Sequence, residues 1–191
     1  MKLITIVNSY DNEAERPQYY LKADTALLRN NDAFYIPDGV GRIVAAPHIV
    51  LKVSRIAKCI GERFAARCID GVMGGVTFTA IDRLNEARSK GLPWDEAVGF
   101  DHSSALSLDT LSRDAMLEGA RFYINGQECA HIALGDMRFT VDKVVSHLSE
   151  RMTLRIGDLI FLGAPAEFEV KAGDNYRLTI GDHTLLNFDI K

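Results

Sequence analysis

A chain of 191 residues, 47% apolar and 25% charged with a formal charge of -4, has the makeup of one sizeable globular domain. No run of Lys and Arg suggests a nucleic-acid partner, no acidic block suggests a tail, and no apolar stretch approaches the length that crosses a bilayer, so no membrane partner is expected. Three cysteines, Cys59, Cys68 and Cys129, form no C-x-x-C and read as free buried thiols of a cytoplasmic protein.

The opening "MKLITIV" is too short an apolar run for a secretory signal core and reads as a first strand. From about Val40 to Lys58 the chain reads as extended. Within it "IVLKVSRI" alternates Ile49, Leu51 and Val53 against Val50, Lys52 and Ser54, the period of a half-buried strand. "GERFAARCI" then changes period: Ile60, Phe64 and Cys68, with Ala65 and Ile69, fall on one helical face. "GVTFTAI" is a strand by its β-branched and aromatic content. "DRLNEARSKG" follows as a helix, capped by Asp82 and closed by Gly91, and Pro93 opens a short helical turn, "PWDEAV".

The second half is mostly β. "RFYINGQECA" predicts a hairpin, with Asn125 and Gly126 suited to a type I′ turn. "TVDKVVSHLSERM" predicts a helix capped by Thr140, with Val141, Val144, Val145, Leu148 and Met152 as its buried stripe. "TLRIGDLIFLGAP" and "VKAGDNYRLTIGDHTLLNFDI" are short strands separated by Gly-Asp turns. Strands dominate and helices are few, which gives an α+β, β-rich fold class.

Several segments, in order and spacing, resemble the fumarylacetoacetate hydrolase family: "FYIPD", "GERFAARCIDGV", "VTFTAIDRL", "KGLPWDEAVGFDHSSAL", "INGQ", "DMRFTVDKVVSHLSERMTLRIGDLIFLGAP" and "VKAGD". The resemblance implies a single domain over residues 1–191, a mixed, rolled β-sandwich with a few short helices. Residues 1–40 would give an N-terminal strand and a lid-like segment, and 41–191 the core. It also implies a homodimer, and chemistry on small oxo-acids and acylpyruvates assisted by Mg²⁺ or Mn²⁺. A metal held by hard oxygen ligands stabilises the enolate that forms when a bond beside a 2-oxo acid breaks, and converging carboxylates hold such a metal.

The residues implied for that chemistry are missing. The family's Glu-x-Glu positions fall on Ala46 and His48. Its metal-binding aspartate falls on Thr77, the arginine four residues later on Ile81, and a following glutamine on Leu84. The lysine of its "K-G-F-D-G" element falls on Val98, with His102 at the final glycine. Its C-terminal "T-G-T-P-x-G" reads "LGAPAE", placing Leu162, Ala164 and Glu167 there, and the lid histidine falls on Glu13. Scaffold signatures persist at Pro93, Trp94, Phe100, Asp101, Gly157, Asp158, Gly163 and Pro165.

The expectation is therefore a family member without Mg-dependent catalysis: a pseudoenzyme that needs no cofactor and holds a small-molecule ligand or a protein partner. Two alternatives stand beside it. One is an active hydrolase, isomerase or decarboxylase whose cation site is rebuilt from Glu13, Glu86, Asp101 or Glu167. The other is a structural subunit paired with an active relative. A histidine at position 48 would face the old metal position, where it would act as a base, or as a soft-metal ligand together with His102, or sit hydrogen-bonded in an emptied pocket.

Overall fold

The computed structural model describes residues Met1–Lys191. Its strands are β1 (Leu3–Ile6), β2 (Tyr19–Lys22), β3 (Leu27–Leu28), β4 (Ile43–Val53), β5 (Ile69–Ala80), β6 (Ser104–Leu106), β7 (Leu111–Ser112), β8 (Ala120–Ile124), β9 (Gln127–Ile132), β10 (Leu159–Phe161), β11 (Phe168–Glu169), β12 (Asn175–Ile180) and β13 (His183–Asp189). Its α-helices are α1 (Glu62–Ala65), α2 (Ile81–Lys90), α3 (Asp95–Val98) and α4 (Val141–Arg151). None is long and apolar enough to cross a membrane.

Nine strands form one mixed sheet in the order β2-β1-β10-β4-β5-β6-β3, with β11 added to β4 and β7 to β5. The β1–β10 and β3–β6 pairs are parallel and the others antiparallel. This sheet curls into a half-barrel. A second, antiparallel sheet, β13-β12-β8-β9, packs against it. The architecture is the α+β, β-rich one expected, with a curled sheet and short helices.

Two long strands, β4 and β5, form the spine. They pair from Ile43↔Ala80 to Val53↔Ile69, and β4 keeps the alternation expected of "IVLKVSRI" at Leu51, Lys52, Val53 and Ser54 but departs from it at Val50, which is buried. His48 and Val50 are as inaccessible as Ile49 and Leu51, because both faces of a central strand are covered. The face of Ile49, Leu51, Val72, Val76 and Phe78 joins the main core with Phe122, Tyr176, Leu178 and Phe188 of the second sheet. The other, concave face carries Val50, Met73, Leu3, Leu159 and Phe161.

The paired glycines of β5 allow this double coverage. A Cβ on Gly74 would come within 2.7 Å of Leu178 and 3.1 Å of Leu185, so the second sheet can approach only a bare backbone there. A Cβ on Gly75 would meet Val50 at 2.6 Å and Phe161 at 2.7 Å on the opposite face.

Three local expectations need correction. The helical face predicted through Ile69 ends earlier: α1 stops at Ala65, a 3₁₀ turn covers Ala66–Cys68, and Ile69 already pairs with Val53. Strand pairing outweighs the local helical period. Asp82 does not cap α2, whose flanking residue Ala80 makes no side-chain bond; Asp82 instead accepts from the Arg42 backbone and guanidinium at 2.8–3.4 Å. Of the three free cysteines only Cys68 is buried.

Other signals agree with the chain. Thr140 caps α4 by accepting from Lys143 N at 3.2 Å. Gly91 ends α2 at φ +64°, and Asn125 and Gly126 turn the β8–β9 hairpin with φ of 52° and 81°.

Candidate functional site

The concave face of the large sheet opens into a small cavity of about 120 Å³ between the ends of β1, β2, β4 and β5, beneath α2 and α3. Strand periodicity sets its lining. Side chains two apart share a face, so β1 contributes Thr5, β2 Tyr20, β4 Ala46 and His48, and β5 Thr77 and Thr79. Register aligns them: Thr5 lies opposite Tyr20, and Ala46 opposite Thr77. Leu84 and Arg88 come from α2, Trp94 and Val98 from the start and end of the α3 turn, and Ala164 and Glu167 from the loop after β10.

Six of the positions singled out from the sequence therefore meet in one cavity: Ala46, His48, Thr77, Leu84, Val98 and Ala164. Ile81 and His102 do not line it. Ile81 begins α2 and packs with Leu84, Ala97 and Val98 at the cavity's edge. His102 is exposed at φ +61° on a turn and belongs to a separate surface hollow with Leu28, Tyr35 and Lys191, so it cannot act together with buried His48. Among the carboxylates considered for a rebuilt site, Glu167 alone reaches the cavity. Glu13 is exposed in another hollow, Glu86 pairs with Lys90 on the outside of α2, and Asp101 is exposed on its turn.

The polar groups of the wall are mostly uncharged. His48 is 2% exposed and its Nε2 lies 2.8 Å from Thr77 Oγ1. Its Nδ1 is buried without a hydrogen bond of good geometry, and the Gly163 backbone lies close to the ring. Burial is the main cause that lowers its pKa to about 3, so the imidazole is neutral at ordinary pH. Tyr20 sits among the Thr5, Thr77 and Thr79 hydroxyls; burial outweighs those contacts and pushes its phenol up to about 12. Thr5 Oγ1 is buried without a partner of good geometry, and so is Ser104 Oγ on β6, opposite Thr77.

This donor set does not fit Mg²⁺ or Mn²⁺. Both take hard oxygen ligands, Mg²⁺ in near-ideal octahedral geometry with one or two carboxylates among them. Here one rim carboxylate faces hydroxyls, an alanine and an imidazole. No group of three or more His, Cys, Asp or Glu side chains anywhere in the chain is arranged to hold a metal ion.

Two basic side chains near the cavity escape a reading based on motif positions. Lys22 is 4% exposed on β2, with its Nζ donating to Ser103 O at 2.7 Å and Ser103 Oγ at 3.2 Å. Arg88, on the last turn of α2, stacks its guanidinium 5.1 Å from the Trp94 ring centroid at the cavity mouth. The alternation in "YYLK" puts Tyr20 and Lys22 on one face, but nothing local announces that this face is buried.

A curled mixed sheet with a cavity on its concave face and a smaller sheet behind it defines the class of protein, and comparison with known proteins agrees. The model of the family described as fumarylacetoacetate (FAA) hydrolase C-terminal matches residues 5–190. The chain belongs to the fumarylacetoacetate hydrolase family.

It is similar to an oxaloacetate tautomerase of Escherichia coli, at 23% identity over 90% of this chain and 80% of that one. Likeness to the mitochondrial oxaloacetate tautomerase of Arabidopsis thaliana is 26% over 93% and 81%, and to a fumarylpyruvate hydrolase of a Ralstonia species 26% over 86% and 87%. Among solved structures, a family protein of Yersinia pestis superposes with a TM-score of 0.92 at 23% identity, covering 100% of this chain and 93% of that one. Fumarylpyruvate hydrolase of Pseudomonas aeruginosa, in complex with Mn²⁺ and pyruvate, superposes at 0.89 with 20% identity, covering 100% and 89%. At those identities the structural likeness speaks to the fold alone.

Proposed function

We propose that this chain is a ligand-binding member of its family that does not carry out metal-dependent catalysis. One observation carries the reading: the positions matched to the family's metal carboxylates meet in one cavity as Ala46, His48 and Thr77, with Glu167 as the lone carboxylate on the lining. Without a Lewis acid an enolate has no metal to neutralise it directly, and removing that stabilisation costs several kcal/mol, about a thousandfold or more in rate. What remains is recognition. A neutral imidazole and the hydroxyls of Thr5, Tyr20, Thr77 and Thr79 offer hydrogen bonds inside an enclosed space bounded by Leu84, Val98 and Trp94. Ala46, His48, Thr77, Leu84, Val98 and Ala164 are the ligand-contacting residues of this reading.

The relatives named as oxaloacetate tautomerases and a fumarylpyruvate hydrolase supply the activities to test. Chelator-treated protein, reloaded with Mg²⁺ or Mn²⁺, should leave the enol–keto exchange of oxaloacetate and the hydrolysis of fumarylpyruvate at their background rates. Metal-stimulated turnover that His48→Ala abolishes would overturn the reading. We carry over the family's homodimer, which sedimentation equilibrium would check, and a reducing, cytoplasmic setting, which three unpaired cysteines support.

A further inference from the structure

Lys22 is the most unusual charge-bearing group of the chain. Its Nζ is enclosed and finds two acceptors, both on Ser103. None of the chain's ion pairs involves it, and none involves Arg88 or Glu167. A protonated amine here keeps one N–H unsatisfied and a full charge without a counter-ion, both costly in a buried place. Two N–H groups on two acceptors satisfy the neutral amine, which leaves only a lone pair.

The amine lies one side chain behind the cavity wall. It is 5.8 Å from the Tyr20 ring centroid, and the hydroxyl of its partner Ser103 donates to Val98 O at 3.0 Å; Tyr20 and Val98 both line the cavity. The titratable groups facing it are Tyr20 on its own strand and His48 on β4, both neutral at ordinary pH. β1 presents Leu3 opposite it, and the turn before β6 presents Ser103, neither of which titrates.

We propose that the cavity is a metal-free receptor for a small monocarboxylate, in which Lys22 takes up a proton as the carboxylate enters and Arg88 meets the anion at the mouth. The proposal rests on the non-catalytic, metal-free reading above and names its ligand class. The incoming carboxylate is the counter-charge that Lys22 lacks. Burial holds the amine well below its ordinary pKa in the empty protein, and a nearby anion draws that value back up. A positive charge thus returns from β2 and α2, on elements unrelated to the segment that ends in Val98, while no set of carboxylates returns with it. With no metal to chelate a 2-oxo group, the carboxylate is the main anchor, so propionate should bind within about tenfold of pyruvate, the worth of one hydrogen bond from the wall to the 2-oxo oxygen. Glu167 opposes the anion from the rim.

The test is calorimetric titration of chelator-treated protein with propionate, then pyruvate, first without metal and then with added Mg²⁺, across pH 7 to 9 in Tris and in HEPES, whose ionisation heats differ. Both acids should bind without metal and take up as much as about one proton per molecule bound. Lys22→Met should remove the proton uptake and weaken binding by about tenfold or more. Glu167→Gln, at an exposed rim position that does not threaten folding, should strengthen binding. Metal-free binding with no buffer dependence at any pH, or no binding of either acid, overturns the role of Lys22. Binding of pyruvate alone, and only with Mg²⁺, overturns the metal-free reading itself. The buffer comparison needs only the unaltered protein, so a Lys22→Met variant that fails to fold leaves the test intact.

Discussion

Thr77 lies opposite Ala46 across the β4–β5 pair and within hydrogen-bonding reach of His48, so three carboxylates at these positions would converge. Replacing them together by Ala46→Glu, His48→Glu and Thr77→Asp should create a cation site of millimolar affinity or better, read by calorimetry with Mg²⁺. A folded triple variant that ignores the metal would mean that these residues do not occupy the family's metal positions.

His48 carries a second residue-scale consequence. Its folded pKa is about 3 against an ordinary 6.5, so between those values the unfolded chain binds a proton that the folded chain refuses. Stability should therefore be unaffected by this group above about pH 6.5 and fall as pH drops below it, by as much as about 1.4 kcal/mol per unit. Urea unfolding from pH 7 to 4 should show His48→Gln losing less stability than the unaltered protein; parallel curves would contradict the assignment. The absence of a metal-holding cluster was legible in the sequence, because the family resemblance set Ala46, His48 and Thr77 where carboxylates were expected. Lys22 was not, because burial of a lysine on "YYLK" depends on β1 and on Ser103, far away in sequence.

Among the elements, β5 bears the tightest constraint. Its Gly74 admits the second sheet and its Gly75 admits Phe161, so this glycine pair serves packing on both faces. Gly74→Ala should cost about 1–3 kcal/mol, as overpacking of a closed core does, with a lower urea midpoint and little effect on the cavity, which lies on the other face. Gly75→Ala presses on Phe161, whose ring lies edge-on to His48 at 5.6 Å between centroids, and so should also disturb ligand binding.

Elements with strong local signals were readable from the chain. α4 has its threonine cap and apolar stripe, and the β8–β9 hairpin has Asn125 and Gly126. The Ala66–Cys68 turn was misread as continuous helix because "GERFAARCI" keeps an apolar period while Ile69 is claimed by β4. The half-buried pattern of β4 holds at Leu51–Ser54 and breaks at Val50 for a related reason: Val50 packs with Leu3 of β1 and Leu159 and Phe161 of β10, which no window around it contains.

At the scale of the molecule, the fold was accessible because segments that resemble the family run along the whole chain, and the family match over residues 5–190 covers nearly all of it. The cavity's new character was less accessible, since Thr5, Tyr20 and Lys22 come together only when β1 and β2 join the sheet beside β10. The half-barrel carries a cavity whose polar wall is mostly hydroxyls and a neutral imidazole, with a buried amine one side chain behind it.

The most direct measurement is a calorimetric titration of chelator-stripped, otherwise unaltered protein with Mg²⁺ and then Mn²⁺. No binding heat into the millimolar range is the result expected of a cavity with a single rim carboxylate. A saturable one-site signal, lost in His48→Ala, would contradict the loss of the metal site and return the chain to the metal-dependent members of its family.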